Sequence, residues 1–329
     1  MDCLRIHDRA ALEAYRDTPL YAGFDPACLA QHGPDLHLLG LDAERRPVAR
    51  CSLWWCQAPE LPGERLGVVG HFAAAAAEAA GALLEQAFAT LRLEGCSLAV
   101  GPMDGNTWRR YRFVVDAGRE PPFFLEPENP PQYPEYFRAA GFAPLAEYTS
   151  ALTEDLSLQD ARIAGAIARL RAGGVGWRPL DPGRFEAELK AIYRLSVLSF
   201  TENYLYTPIG EAEFLAQYRA VEPYLDPALT LMAEREGELV GYLFGVPDLN
   251  QARRGDAVDT FIIKTVAVLP GRRNAGLGSV LVAEAQRIAR EKGYRRAIHA
   301  LMHDNNKSRN ISGHYAQTMR RYALFQRRL

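Results

Sequence analysis

Thr265-Val266-Ala267-Val268-Leu269-Pro270-Gly271-Arg272-Arg273-Asn274-Ala275-Gly276-Leu277-Gly278-Ser279-Val280-Leu281 changes character twice. It begins as a β-branched strand, passes through a basic turn with glycines, and opens into a helix. A helix start leaves its first N–H groups unpaired and carries the positive end of the dipole. Gly276 and Gly278 let a ligand approach the backbone, and Arg272 and Arg273 add charge. The segment reads as a cradle for a pyrophosphate-bearing cofactor. A P-loop requires Lys and then Ser/Thr after its last glycine, whereas Gly278 is followed by Ser279-Val280. A dinucleotide turn requires a third glycine where Leu281 stands.

Arg273-x-x-Gly276-x-Gly278 resembles the acyl-CoA loop of the GNAT (Gcn5-related) N-acetyltransferases. The flanks are similar to that family as well, with Val-x-Val-x-Pro before the loop and a Leu/Val-rich helix after it. Upstream, Leu229–Glu234 and Leu239–Gly245 read as a strand pair around Arg235–Glu238. Downstream, Leu281, Ala285, Ile288 and Ala289 share a helical face, Gly293 is a stop, and Ala297–Met302 is the next strand. Asn305-x-x-Ser308 is similar to the family's second cofactor motif. The resemblance covers roughly residues 176–329. It implies that acetyl-CoA contacts Val266, Val268, Arg272, Arg273, Asn274, Ala275, Gly276, Leu277, Gly278, Ser279, Asn305 and Ser308. A backbone donor near Val268 would hold the thioester carbonyl. Both valines serve equally as ordinary buried strand.

The family often places a tyrosine seven residues after the motif asparagine. Here that position is Ser312, and Tyr315 lies three residues later near the same helix face. Tyr315 is the expected thiolate acid, with a packed tyrosine as the plain alternative. For the base, Asp259, Asp248, Glu202 and His303 stay open. In the family the helices after the first strand wall the acceptor. Asn203, Tyr204 and Tyr206 occupy that region here and suit a polar amine, although an ordinary aromatic loop looks the same. Trp108 and Phe123-Phe124 would close the site from the first half.

The chain has 329 residues, which favours two domains. The first half repeats the pattern: strands at 36–41, 47–55 and 66–72, a helix from Ala74 to Leu93, and a strand at 97–100. Ala73–Ala77 stands where the cofactor loop would fall, so this copy is read as degenerate. Residues 101–131 are too rich in proline for a central strand or helix and read as an ordered loop packed by aromatics. The expected division is 1–155, a connecting helix at 156–175, and a cofactor-binding domain at 176–329. The fold class is α/β (α+β): two tandem GNAT-like domains, each with a mixed, mostly antiparallel sheet flanked by helices.

A net charge of −2 argues against nucleic acid as a partner. Residues 295–329 carry eight Lys/Arg against one acidic residue, a solvated tail or an attractor for coenzyme A phosphates. The five cysteines, Cys3, Cys28, Cys51, Cys56 and Cys96, include no C-x-x-C pair. They are expected to be reduced thiols of a cytoplasmic protein. His299 and His303 share a strand face without a third ligand, so no metal is expected. No apolar stretch is of membrane-spanning length. The expected activity is acetyl transfer from acetyl-CoA to a small-molecule or peptide amine by direct attack. A non-catalytic acyl-CoA sensor is the alternative, and the oligomeric state is unknown.

Overall fold

The computed structural model describes residues 1–7, 9–157, 161–303 and 316–329. The first half runs β1 (Asp2–Ile6), α1 (Cys28–His32), β2 (Leu36–Leu41), β3 (Pro47–Trp54), β4 (Leu66–Ala74), α2 (Ala77–Leu93), β5 (Leu98–Gly101), β6 (Phe113–Asp116), α3 (Tyr133–Ala139) and β7 (Ala143–Thr153). The second runs α4 (Arg162–Ala172), β8 (Val175–Pro179), α5 (Phe185–Ser199), α6 (Glu211–Arg219), β9 (Leu231–Arg235), β10 (Glu238–Pro247), α7 (Leu249–Arg253), β11 (Thr260–Val268), α8 (Leu277–Glu291), β12 (Arg296–His303) and β13 (Gln317–Arg328). The strands expected at 36–41, 47–55 and 66–72 are present within a residue or two, as are the strands and helix on either side of the cofactor loop.

Among the described residues, all strands join one 13-stranded sheet in the order β1-β2-β3-β4-β5-β13-β7-β12-β11-β10-β9-β8, with β6 beside β13. The halves have corresponding orders. In each, a hairpin leads to a strand (β4 or β11), a helix crosses over (α2 or α8), and the next strand returns parallel (β5 or β12). The helices bury their apolar faces on the sheet: Leu83, Leu84, Phe88 and Leu91 of α2 against β3 and β4, and Leu277, Leu281, Ala285 and Ala289 of α8 against β10 and β11.

The last strands are exchanged. β7 is antiparallel to β12 of the other half, and β13, the chain's C-terminal strand, lies between β5 and β7. Two arginines of β13 are therefore paired within the protein. Arg320 pairs with Glu126 at 2.8 Å with both side chains nearly fully buried, and Arg327 reaches Glu85 at 2.7 Å. Phe325 fills the first half's core among Phe113 and Phe137. The ladders join the halves into one unit, so neither can be excised cleanly. A chain ending at residue 316 should lose cooperative thermal unfolding of the first half, read by circular dichroism. Retention of the full-length Tm would contradict this placement of β13.

Candidate active site

β11 and β12 pair only from Thr260–Ile263 to Arg296–His299. Among the described residues no ladder joins them beyond that point, although β11 continues to Val268 and β12 to His303. The other edge of β11 stays paired to β10 through Gly241↔Val268 and Leu243↔Val266. A register shift at Phe244/Gly245 leaves Lys264 as an extra residue on β11, where the strands part. The result is a cleft at the C-terminal ends of two parallel strands, with one edge of β11 open to an extended ligand.

The turn after β11 ends at this cleft. Gly271 (φ 138°) and Gly276 (φ 83°) hold backbone conformations that L side chains rarely adopt. Gly276 is the N-cap of α8, which leaves the first-turn N–H groups of Leu277, Gly278 and Ser279 without helical partners. Arg272, Arg273, Ala275 and Gly276 are exposed. Asn274 is buried and its side chain is used locally: Nδ2 donates to Leu269 O at 2.9 Å, and Oδ1 accepts from Arg235 at 3.0 Å. Arg169 of α4 donates to Ala275 O at 2.6 Å. These bonds fix the turn, whose Asn274 and Ala275 N–H groups close on Gly271 O and Arg272 O, and leave the first N–H groups of α8 as the donors that fit phosphate oxygens. Asn305, Ser308 and Tyr315 lie outside the described residues.

The two halves meet over the cleft. Trp108 packs against Phe200, Tyr206 and Phe214, and its Nε1 donates to Thr207 O at 2.8 Å. Tyr206 spends its hydroxyl on Val197 O, and Asn203 and Tyr204 are exposed at the rim. Tyr204 faces His303, which lies edge-on to Tyr148. Phe123 and Phe124 enter the core of α5, α6 and the sheet, and Phe124 N–H donates to Asp248 at 2.8 Å. The segment 101–131, which also holds β6, is thus shared between the halves: Trp108 packs against α5 and α6, whereas Phe124 is held at Asp248, toward the opposite ends of β11 and β12. Arg109 adds an ion pair to Glu213 of α6 at 2.7 Å.

Two of the candidate bases are placed away from the cleft. Asp248 caps α7, and Asp259 accepts from Gln251 and Thr260. Both line a cavity of about 310 Å³ at the opposite ends of β11 and β12. Glu202 is exposed near the rim.

The sequence reading passed over Lys264. Its Nζ donates to Leu125 O at 2.7 Å. Burial, reinforced by the Arg112 guanidinium and opposed by Glu126, pulls its pKa down to about 7. Arg112 is itself held between the rings of Tyr111 and Tyr148, 3.8 and 4.0 Å from the centroids, and donates to Leu301 O. Glu126 accepts from Arg320 and from the Tyr322 hydroxyl, which also meets Ser150. Burial raises the pKa of Glu126. Nothing local marks Lys264 in Phe-Ile-Ile-Lys-Thr-Val, because its neighbours come from residues 112–126 of the other half.

In the first half the corresponding cleft is closed. Met103 N–H donates to Val69 O at 2.9 Å and His71 N–H to Asp104 at 2.6 Å, tying β4 to the segment after β5. Only Ala75 and Ala76 separate β4 from α2.

Residues 189–311 match the acetyltransferase (GNAT) family. The chain is 27% identical over 215 residues to a protein of Caulobacter vibrioides named bacterial ceramide synthase, covering 63% of this chain and 55% of that one. It thus spans about half the length of that relative. Among solved structures, a GCN5-related N-acetyltransferase of Anabaena variabilis superposes with a TM-score of 0.54 at 10% identity, over 99% of this chain and 72% of that one. A tandem GNAT protein from the clavulanic acid biosynthesis pathway gives 0.50 at 13% identity, over 99% and 98%. At these identities the structures show a shared fold.

Proposed function

We propose, from the match of residues 189–311 to the acetyltransferase (GNAT) family, that this chain is an acyl-CoA-dependent N-acyltransferase with one working site. The observation that carries the reading is the meeting of three features: the parting of β11 from β12, the outward N–H groups at the start of α8, and Lys264 where the strands part.

Acyl-CoA, when bound, supplies the activated acyl group as a thioester. The open edge of β11 at Val266–Val268 binds the extended arm by backbone hydrogen bonds. Leu277, Gly278 and Ser279 N–H groups, with Arg272 and Arg273, hold phosphate. Lys264, neutral for a large fraction of molecules near pH 7, accepts the proton that the amine loses as it attacks. Trp108, Phe200 and Tyr206 exclude water from the acceptor side. Tyr315 remains the proposed acid for the departing thiolate.

Acetyl to a primary amine is the simplest assignment. The relative named ceramide synthase, together with the aromatic wall at Trp108, favours a second reading: a longer acyl group and a long-chain amine. Steady-state rates over acyl-CoAs of increasing chain length, against small polar amines and sphingoid bases, separate the two. No turnover with any pair, alongside tight coenzyme A binding, would favour a sensor. Isothermal titration should give one coenzyme A per chain, because the first half's cleft is closed. Two equivalent sites would sink that assignment.

A further inference from the structure

The first half carries a cluster of ligand-type side chains that the acyl-transfer reading does not use. Cys28 and His32 stand four residues apart on α1, and His71 lies on β4 opposite them. One ligand atom from each of Cys28, His32 and His71 lies within 4.8 Å of the others. His32 Nδ1 is 2.8 Å from His71 Nε2, and Cys28 Sγ is 4.0 Å from that same nitrogen. We propose that Cys28, His32 and His71 bind one zinc ion, with water in the fourth position, and that this ion clamps α1 onto the sheet.

Two of the three separations are near those of a tetrahedral site, and the third, Cys28 to His32, lies within 4.8 Å. Zinc bonds of about 2.0–2.1 Å to nitrogen and 2.3 Å to sulfur place two nitrogens roughly 3.3 Å apart, and sulfur and nitrogen roughly 3.6 Å apart. The rings must part by about 0.5 Å and the thiolate must close by a similar amount, shifts that rotamer adjustment supplies. Cys, His and His with one open position is a common donor set for zinc.

The second shell is in place. His71 Nδ1 meets Ser52 Oγ at 2.9 Å, Ser52 meets His37 Nδ1 at 2.8 Å, and His37 Nε2 meets the Tyr21 hydroxyl at 3.1 Å. With protons running from His71 toward Tyr21, Nδ1 of His71 is a donor and Nε2 keeps its lone pair for the metal. Such outer partners fix the tautomer of a metal-ligating histidine.

The backbone holds His71 in place at a conformational cost. Its φ of 47° is unusual for a residue with a side chain, and it sits at the bulge between β3 and β4. Its N–H donates to Asp104, and its carbonyl accepts from the buried Arg50. A Cβ on Gly70 would lie 2.0 Å from Met103 O, so that neighbour must be glycine. On the other side, Gly33 caps α1 in the left-handed conformation, and His32 O accepts from both Trp54 and Arg109. Nearby charge tolerates a cation: Asp104 is set against Arg50, Arg109 is neutralised by Glu213, and Cys28 ligates as the thiolate once the metal displaces its proton.

The test uses the full chain, purified without a metal-affinity tag. Elemental analysis should find one zinc per chain. Cobalt replacement should give one equivalent with a sulfur-to-cobalt charge-transfer band and raise Tm above that of the chelated protein. Cys28→Ser should lose the band, and Cys56→Ser, at an exposed cysteine elsewhere, should keep it. If Cys28→Ser does not fold, X-ray absorption of the wild-type zinc protein decides, with one sulfur and two imidazole nitrogens expected. Wild-type protein that retains no zinc and gives no cobalt band overturns the proposal. So does a metal shell without sulfur, or a folded Cys28→Ser variant that binds like the wild type.

Discussion

Gly276→Asp is expected to weaken acyl-CoA binding about 10²- to 10³-fold while the protein still folds. Charge-assisted hydrogen bonds to phosphate contribute about 1.5–3 kcal/mol each, and an aspartate here opposes two or more of them by like charge and bulk. The exposed position faces the unpaired N–H groups of α8, so the effect falls on the ligand. A left-handed aspartate costs about 1–2 kcal/mol. The new Cβ meets Arg169 Nη2 at 3.2 Å, the far end of a flexible side chain that can pair with the new carboxylate. Isothermal titration with coenzyme A, alongside a thermal melt, checks both halves of the expectation. Wild-type affinity in a folded variant would remove the phosphate from this turn.

What was legible in the sequence follows sequence distance. The cofactor turn is contiguous: a β-branched strand, a basic turn with glycines and an amphipathic helix lie within residues 265–289, and local rules suffice to propose it, although the sequence pointed to Gly276 and Gly278 while the positive-φ glycines of the turn are Gly271 and Gly276. The repeat in the first half was legible for the same reason, since each hairpin and crossover is built from neighbours. The strand exchange was not. Gln317–Arg328 is rich in arginine and reads as a solvated tail, yet Arg320 and Tyr322 meet Glu126 from nearly two hundred residues away. A charge is solvated or paired according to partners that periodicity cannot supply. The zinc-type cluster escaped likewise, because a search for paired cysteines passes over Cys28-x-x-x-His32 when the third ligand, His71, comes from a bulge 39 residues on. Asp248 and Asp259 looked like bases because nothing in the sequence shows which end of a strand faces the cofactor.

Lys264→Met is expected to lower turnover about 10²- to 10⁴-fold with a smaller change in acyl-CoA affinity, the range for loss of a general base. In the wild type, kcat/KM should rise with pH and level off above about 7, where Lys264 becomes neutral. The variant should lose that limb. Lys264→Arg should be equally slow, because a guanidinium does not give up its proton in this range. The stability sign is separate and runs the other way. The folded pKa lies near 7 and the unfolded one near about 10.4, so across that window the unfolded chain holds a proton that the folded chain lacks. Stability therefore rises with pH between those values, and the cost of burying the ammonium is fully present below pH 7. Lys264→Met removes that cost, so the variant should be more stable than the wild type at pH 6, by a margin that shrinks toward pH 10. A residue that only packs would lose stability on substitution and leave the pH limb of the rate in place. A slower enzyme that is also a more stable protein is the signature of a lysine held in an unfavourable environment for the reaction. Unchanged turnover in Lys264→Met would return the search for the base to His303 and Glu202, the two candidates at the rim of the cleft.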